Sequence, residues 1–242
     1  LAPHHLMGLA ACGLDEVSVC ATPRMAILTT GSELASSGSE LQDGQIRDAN
    51  GPYLRALLAH LGIAGITRST AADSAVALRD ELRALADSCE LILTTGGVSA
   101  GRLDLIPDVV RSLGGEILFH KVAIRPGKPI LYARLPGGKH LFGLPGNPLA
   151  VAVGMRFFVI PALRAMQGMA AEVFRPAICE EGVRSRGKLR FFAKAHRTVD
   201  TEARSRVRIL PGQESFRIGA LLKANCWAVI PEGHELLPAG ST

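Results

Sequence analysis

Four short loops hold most of the residue types in this 242-residue chain that could do chemistry. The first, Thr29-Thr30-Gly31-Ser32-Glu33-Leu34, sets a hydroxyl pair, a glycine and a carboxylate directly after an apolar run. The second, Thr94-Thr95-Gly96-Gly97-Val98-Ser99-Ala100-Gly101-Arg102-Leu103-Asp104, packs three glycines into six residues and ends on a carboxylate. Glycines between a strand end and a helix let backbone N–H groups close around an anion, and Ser99 adds a hydroxyl donor. The third, Arg125-Pro126-Gly127-Lys128-Pro129, is a stiff turn presenting two cations suited to a phosphate or an oxyanion. The fourth, Gly143-Leu144-Pro145-Gly146-Asn147-Pro148, leads rigidly into a helix N-terminus, another end that favours anions. With Glu33, Asp73 and Asp104 alongside, these loops describe a pocket for a phosphorylated, multiply anionic ligand, with carboxylates able to hold a hydrated Mg²⁺. Two plainer readings stay open on the residues alone: Glu33 as a solvated loop glutamate and Asp104 as a complement to the helix dipole.

Such loops work only if the elements between them bring them together. Residues 25–30 and 91–94 read as buried strands, and 63–67 as another. Tyr53, Leu54, Leu57, Leu58 and Leu61 fall at helical spacing behind Asn50 as N-cap, and Asp73 is expected to cap a helix carrying Val76, Leu78, Leu82 and Leu85. A helix is expected over 103–113, strand-like pieces at 116–124, 129–135 and 140–144, and a long apolar helix from Asn147-Pro148 to about 167. Alternating strands and helices predict a mostly parallel sheet covered on both faces, a three-layer α/β domain. In such sheets ligands bind outside the carboxyl ends of the strands, where these loops fall. Beyond Pro176 the pattern changes to short alternating strands with Gly and Pro turns, predicting a small all-β domain.

Charge supports that division. Residues 1–172 carry 15 basic and 15 acidic side chains, and residues 173–242 carry 12 and 7, so the whole excess of +5 sits in the last seventy residues. The expected domains are therefore 1–172 and 173–242. Arg184, Arg186, Lys188, Arg190 and Lys194 lack the interleaved aromatics of a nucleic-acid platform beyond Phe191 and Phe192, so nucleic acid is not the expected partner. Five scattered cysteines with no C-x-x-C spacing argue against zinc or a disulfide framework and for a reducing cytoplasm. The apolar stretch 150–163 contains Arg156 and Pro161 and reads as too short for a bilayer. The loops lack the Walker ending and the G-x-G-x-x-G spacing, which excludes the usual NTPase and dinucleotide motifs.

In order along the chain, Thr29 to Leu34, Asp48 to Leu54, Thr95 to Asp104, Arg125 to Pro129 and Gly143 to Pro148 resemble the molybdopterin molybdenumtransferases. The likeness continues through Gly212-Gln213-Glu214-Ser215 and Ala224-Asn225. It implies a molybdopterin-binding α/β domain followed by a small β-barrel, in the C-terminal part of a homodimeric enzyme. The implied reaction inserts molybdate into adenylylated molybdopterin and releases AMP, with Mg²⁺ required. By this resemblance Glu33 and Asp104 are the essential acidic residues and metal ligands, with Asp73 a further catalytic candidate. Thr30, Gly31, Gly96, Gly97 and Ser99 hold the pterin phosphate, Arg125 and Lys128 hold anions including molybdate, Pro145, Asn147 and Pro148 shape the site, and Ser215 faces it from the small domain. The chain departs from the family pattern at Ser32 for an aspartate, Arg125 for a lysine and Ala193 for an arginine, with Lys194 beside the last. The alternatives are a molybdopterin adenylyltransferase, which resembles residues 25–167 alone, and a non-catalytic pterin-binding scaffold.

Overall fold

A computed structural model describes the chain apart from residues 32, 33, 36, 37, 99–103, 186 and 234. In order, the elements are α1 (Pro3–Ala11), β1 (Met25–Thr30), β2 (Leu34–Ala35), β3 (Ile46–Arg47), α2 (Asn50–His60), β4 (Thr67–Ala71), α3 (Ala75–Ser88), β5 (Leu91–Thr95), α4 (Ile106–Ser112) and β6 (Glu116–His120). There follow β7 (Ile124–Arg125), β8 (Leu131–Leu135), β9 (Lys139–Leu144), α5 (Pro148–Gly154) and, after a π-helical turn, α6 (Ile160–Met166). The last part holds β10 (Ile178–Cys179), β11 (Val183–Arg184), β12 (Arg190–Val199), β13 (Ser205–Ile209), α7 (Gly219–Lys223), β14 (Cys226–Ile230) and β15 (Leu236–Leu237).

A six-stranded sheet in the order β4-β1-β5-β9-β8-β6 forms the centre. β4, β1, β5 and β9 are mutually parallel, while β8 and β6 add an antiparallel edge. Every residue of β1 and β5 is buried, and their side chains alternate between two cores. Met25, Ile27, Leu91 and Leu93 pack with Leu54 and Leu58 of α2 and with Val151, Val153, Met155, Val159 and Leu163. Ala26, Leu28 and Ile92 pack instead with Leu78, Leu82 and Leu85 of α3 and with Ile106, Val109 and Val110 of α4. This is the expected three-layer arrangement, and each buried Leu or Ile contributes ~1.5–3 kcal/mol.

Several local expectations are corrected. Asn50 is the first residue of α2; the N-cap position, Ala49, makes no side-chain bond, and Asp48 does the capping instead, its Oδ1 accepting from the Asn50 and Gly51 N–H groups at 3.0 and 2.9 Å. The strand expected at 63–67 begins only at Thr67, because Ile63 belongs to the exit of α2. Gly62, at φ +76, donates to the Ala59 carbonyl and Ile63 to that of Leu58, a Schellman stop that buries Ile63. Ser74, not Asp73, caps α3 by accepting from the Ala77 N–H at 3.2 Å, and α4 begins at Ile106, two residues beyond Asp104. The piece 116–124 divides into β6 and β7. The continuous helix Pro148–Met166 is long and apolar enough to cross a bilayer by length and composition, contrary to the length expectation, but half of it is buried inside the fold. Leu149, Val151, Val153, Met155, Val159 and Leu163 spend that apolarity on the sheet.

The last part is all-β apart from α7. β10-β13-β12-β14 form one sheet, and β11 pairs separately with β15. β7, from well before residue 173, pairs with the start of β12 at Arg190 and Phe191. Among the described residues these ladders stay separate and do not close into the expected barrel. β10, β11 and β15 are two residues long and offer too few ladder bonds to join the edges.

Candidate active site

The parallel strands β1, β4, β5 and β9 end at Thr30, Ala71, Thr95 and Leu144, so Gly31, Asp73, Gly96-Gly97 and Pro145-Asn147 follow along one edge of the sheet. Hydrogen bonds lace these loops together. Thr30 Oγ1 donates to the Thr95 carbonyl at 3.1 Å and the Gly96 N–H to that of Leu144 at 3.1 Å. Asn50 Nδ2 donates to the Gly146 carbonyl at 2.7 Å. Thr30 is 5% exposed and its hydroxyl is committed to Thr95, so it braces the loop. Gly96 has φ +89, and a Cβ there would lie 2.8 Å from Thr30 Oγ1 and 3.0 Å from the Thr30 carbonyl oxygen. Only glycine lets the two loops approach this closely.

Glu33 and Ser99 lie outside the described residues. Asp104, just past the glycine loop, is largely buried, with its side chain 15% exposed. Its Oδ1 is buried with no hydrogen-bond partner among the described residues, and the same holds for His120 Nε2, which stands 3.9 Å from Asp104 Oδ2. Burial lifts the Asp104 carboxyl above its ordinary value, while His120 and Lys121 pull it down. A desolvated carboxylate with an unsatisfied oxygen fits one ligand position of a Mg²⁺ ion that takes its others from waters and substrate phosphate. Among the described residues no cluster of three or more His, Cys, Asp or Glu could hold a metal by itself.

The other predicted residues meet elsewhere. Arg125, Lys128, Asn147 and Ser215 converge on a cleft of about 410 Å³ between the β7–β8 turn, the start of α5 and residues 213–216. Asn147 Nδ2 donates to Ser215 Oγ at 3.3 Å and the Leu149 N–H to the Ser215 carbonyl at 3.4 Å, which fastens the all-β part to the α/β part. The Arg125 guanidinium lies 5.2 Å from the centroid of the Phe191 ring, a cation–π contact that orients it at the wall. Pro145 is buried and Pro148 opens α5. The arrangement offers two cations, a hydroxyl and amide donors to an anionic ligand. A second depression of about 390 Å³, lined by Phe119, Tyr132, His140, Phe142, Phe157 and Met166 among others, contains none of the predicted site residues.

Sequence reasoning gave no role to His120, Phe191, Gln213 or Lys194, although Gln213 stands in the family motif and Lys194 beside Ala193. β12 strand parity could have shown that Ala193 and Lys194 face opposite sides. Ala193 joins the small core with Phe191 and Ala195, whereas Phe192 joins the large one. Part of the basic charge of the last part is locally paired: Arg190 with Glu232, Arg204 and Arg206 with Asp200, and Arg217 with Glu214.

Fold and site together define an α/β protein whose candidate ligand loops line the carboxyl edge of a parallel sheet and meet an appended all-β unit. Residues 26–165 match the family described as the probable molybdopterin binding domain, and the chain belongs to that family. It is 36% identical over 245 aligned residues to the molybdopterin molybdenumtransferase of Staphylococcus aureus strain Mu50, covering 99% of this chain and 57% of that protein. The Staphylococcus epidermidis RP62A protein of the same name is 32% identical, with 96% and 56% covered. The crystal structure of the molybdopterin biosynthesis moeA protein from Pyrococcus horikosii superposes with a TM-score of 0.78 at 28% identity, covering 99% of this chain and 58% of that one. The chain thus spans little more than half the length of these relatives.

Proposed function

We propose that this chain carries the substrate-binding part of a molybdopterin molybdenumtransferase, which inserts molybdate into adenylylated molybdopterin and releases AMP. The observation that carries the reading is the convergence of Arg125, Lys128, Asn147 and Ser215 on one cleft. Bringing a tetraoxo dianion to an anionic pterin requires that mutual repulsion be offset, and two cations on a stiff turn do so without reorganising. The glycine loop at 96–97 and the end of β1 receive the pterin phosphate from the α/β side, while Asp104, with Glu33, holds Mg²⁺ and Asp73 stands at the same sheet edge. When bound, that ion supplies positive charge to the departing adenylate. The partition into domains 1–172 and 173–242, assembly as a homodimer and a cytoplasmic setting complete the proposal; the five free thiols agree with a reducing compartment.

Calorimetric titration with adenylylated molybdopterin, with and without molybdate and Mg²⁺, tests the reading. Saturable binding weakened at least ~10-fold by Lys128→Ala, the loss of a charged hydrogen bond, is expected. Asp104→Asn lowers the transfer rate by ~100-fold or more where turnover is measured. That variant also removes a desolvated charge. Because the folded carboxyl is raised, its contribution is fully present below pH 3.8 and is lost as pH rises through the folded value. Asp104→Asn is therefore expected to melt higher than the parent at neutral pH. Absence of binding by the parent chain would reject the reading.

A further inference from the structure

Among the described residues, Lys194 is the only charged residue that the fold buries fully, at 1% exposed. On one side of β12 its backbone lies in the gap between β7, paired at 190–191, and β13, paired at 195–199, where its carbonyl already accepts from the Leu210 N–H at 3.0 Å. Gln213 fills that gap like a strand neighbour. Its Oε1 accepts from the Lys194 N–H at 3.0 Å, and its Nε2 donates to the Lys194 carbonyl at 2.8 Å. The ammonium itself donates to the carbonyls of Gly212 at 2.6 Å and Arg217 at 3.1 Å.

Those two carbonyls bracket residues 213–216, which with Leu189 form the small unit's share of the cleft wall. Glu214, the nearest acidic neighbour along that turn, is engaged by Arg217 at 3.5 Å. A buried ammonium satisfied by neutral carbonyls is costly, and an apolar side chain of the same length fills such a space without that cost. Stability therefore does not call for a lysine here, whereas fastening both ends of a four-residue turn does. Ser215, at the middle of the turn, is what reaches across to Asn147 and Leu149.

We propose that Lys194 is a positioning residue of the site: its ammonium staples residues 213–216 into the cleft wall and so sets the affinity for the anionic pterin. The affinity clause rests on the site reading given above; the stapling clause does not.

The test compares the parent with Lys194→Met in three measurements. These are thermal unfolding followed by the emission of Trp227, the cross-strand neighbour of Lys194, amide exchange of residues 212–217, and calorimetric titration with molybdopterin. The expected result is an unfolding midpoint unchanged or raised, exchange of the Arg217 amide accelerated ~10-fold or more with β12–β14 amides unchanged, and ~10-fold weaker pterin binding. Unchanged exchange and affinity in a folded variant would overturn the proposal, as would a general loss of protection across β12 and β14. Should Lys194→Met fail to fold, Lys194→Gln is judged by the same outcomes. A parent chain that does not bind molybdopterin overturns the site reading, and exchange then decides the stapling alone.

Discussion

The α/β unit and the all-β unit build their halves of the cleft by different physics. In the first, strands buried on both faces end at a common edge, and the loops are placed by where the strands stop. Gly96 against Thr30 and the rigid prolines at 126, 129, 145 and 148 complete that half with backbone geometry. Among the described residues the all-β unit has a core of seven buried residues, two of them alanine, too little apolar area to hold long connections in place. Its turns are tied by polar side chains instead: Gln213 and Lys194 under residues 210–217, and Asp200 between β12 and β13. Where burial is plentiful a loop inherits its position from a strand; where it is scarce, each loop needs its own donors and acceptors.

Four perturbations sharpen or break this contrast. Leu93→Ala, at 0% exposed between two sheet neighbours, is expected to cost about 2–5 kcal/mol by urea denaturation. Val207→Ala in the small core should cost only about 1–2 kcal/mol, and a reversed order would dissolve the distinction. Next in size is Gln213→Ala, which leaves the Lys194 N–H without its partner and removes the amide donor to the Lys194 and Leu210 carbonyls, the former keeping the Leu210 N–H. It should lower stability by about 1–3 kcal/mol, with faster exchange confined to the all-β unit. A silent Gln213→Ala would mean that the turn is held by something other than polar staples.

The smallest effect concerns Asp200. The Arg204 N–H, the Arg206 and Arg204 guanidinium groups and the Glu202 N–H all donate to its carboxyl and hold it far below the carboxylate range. A depressed carboxylate contributes stability that is present above its unfolded value, 3.8, and lost as pH falls towards the folded one. Asp200→Asn should therefore flatten the acid limb of the melting curve below pH 3.8 while shifting the neutral midpoint slightly. Parallel pH profiles for parent and variant would remove Asp200 from the set of staples.

Much of the α/β half was legible in the chain. Runs such as Met25 to Thr30 and Leu91 to Thr95 announce strands buried on both faces, and Asn147-Pro148 announces a helix start. The errors fall where one residue does a neighbour's work. Asp48 caps α2 in place of Asn50, Ser74 caps α3 in place of Asp73, and Ile63 seals a helix exit instead of opening a strand. Each choice depends on local backbone angles that residue identity leaves open. The long apolar helix expected from Asn147-Pro148 to about 167 is present as Pro148–Met166; only its π-helical turn at Met155–Val159, packed on the sheet, has no signal in the sequence.

By itself the sequence determined the layered α/β class, the loops at the strand ends and, through its motifs, the family. Those features follow from local rules, since periodicity reports burial and glycine or proline restricts backbone angles wherever they stand. The tertiary structure alone decided which of these residues act together. Arg125 and Ser215 are ninety positions apart and meet only because β7 joins the sheet of the other unit and Asn147 reaches Ser215. It alone turned Lys194 inward beneath the cleft wall, because strand parity, the gap beside β12 and the carbonyls that fill the ammonium's coordination are relations among distant segments.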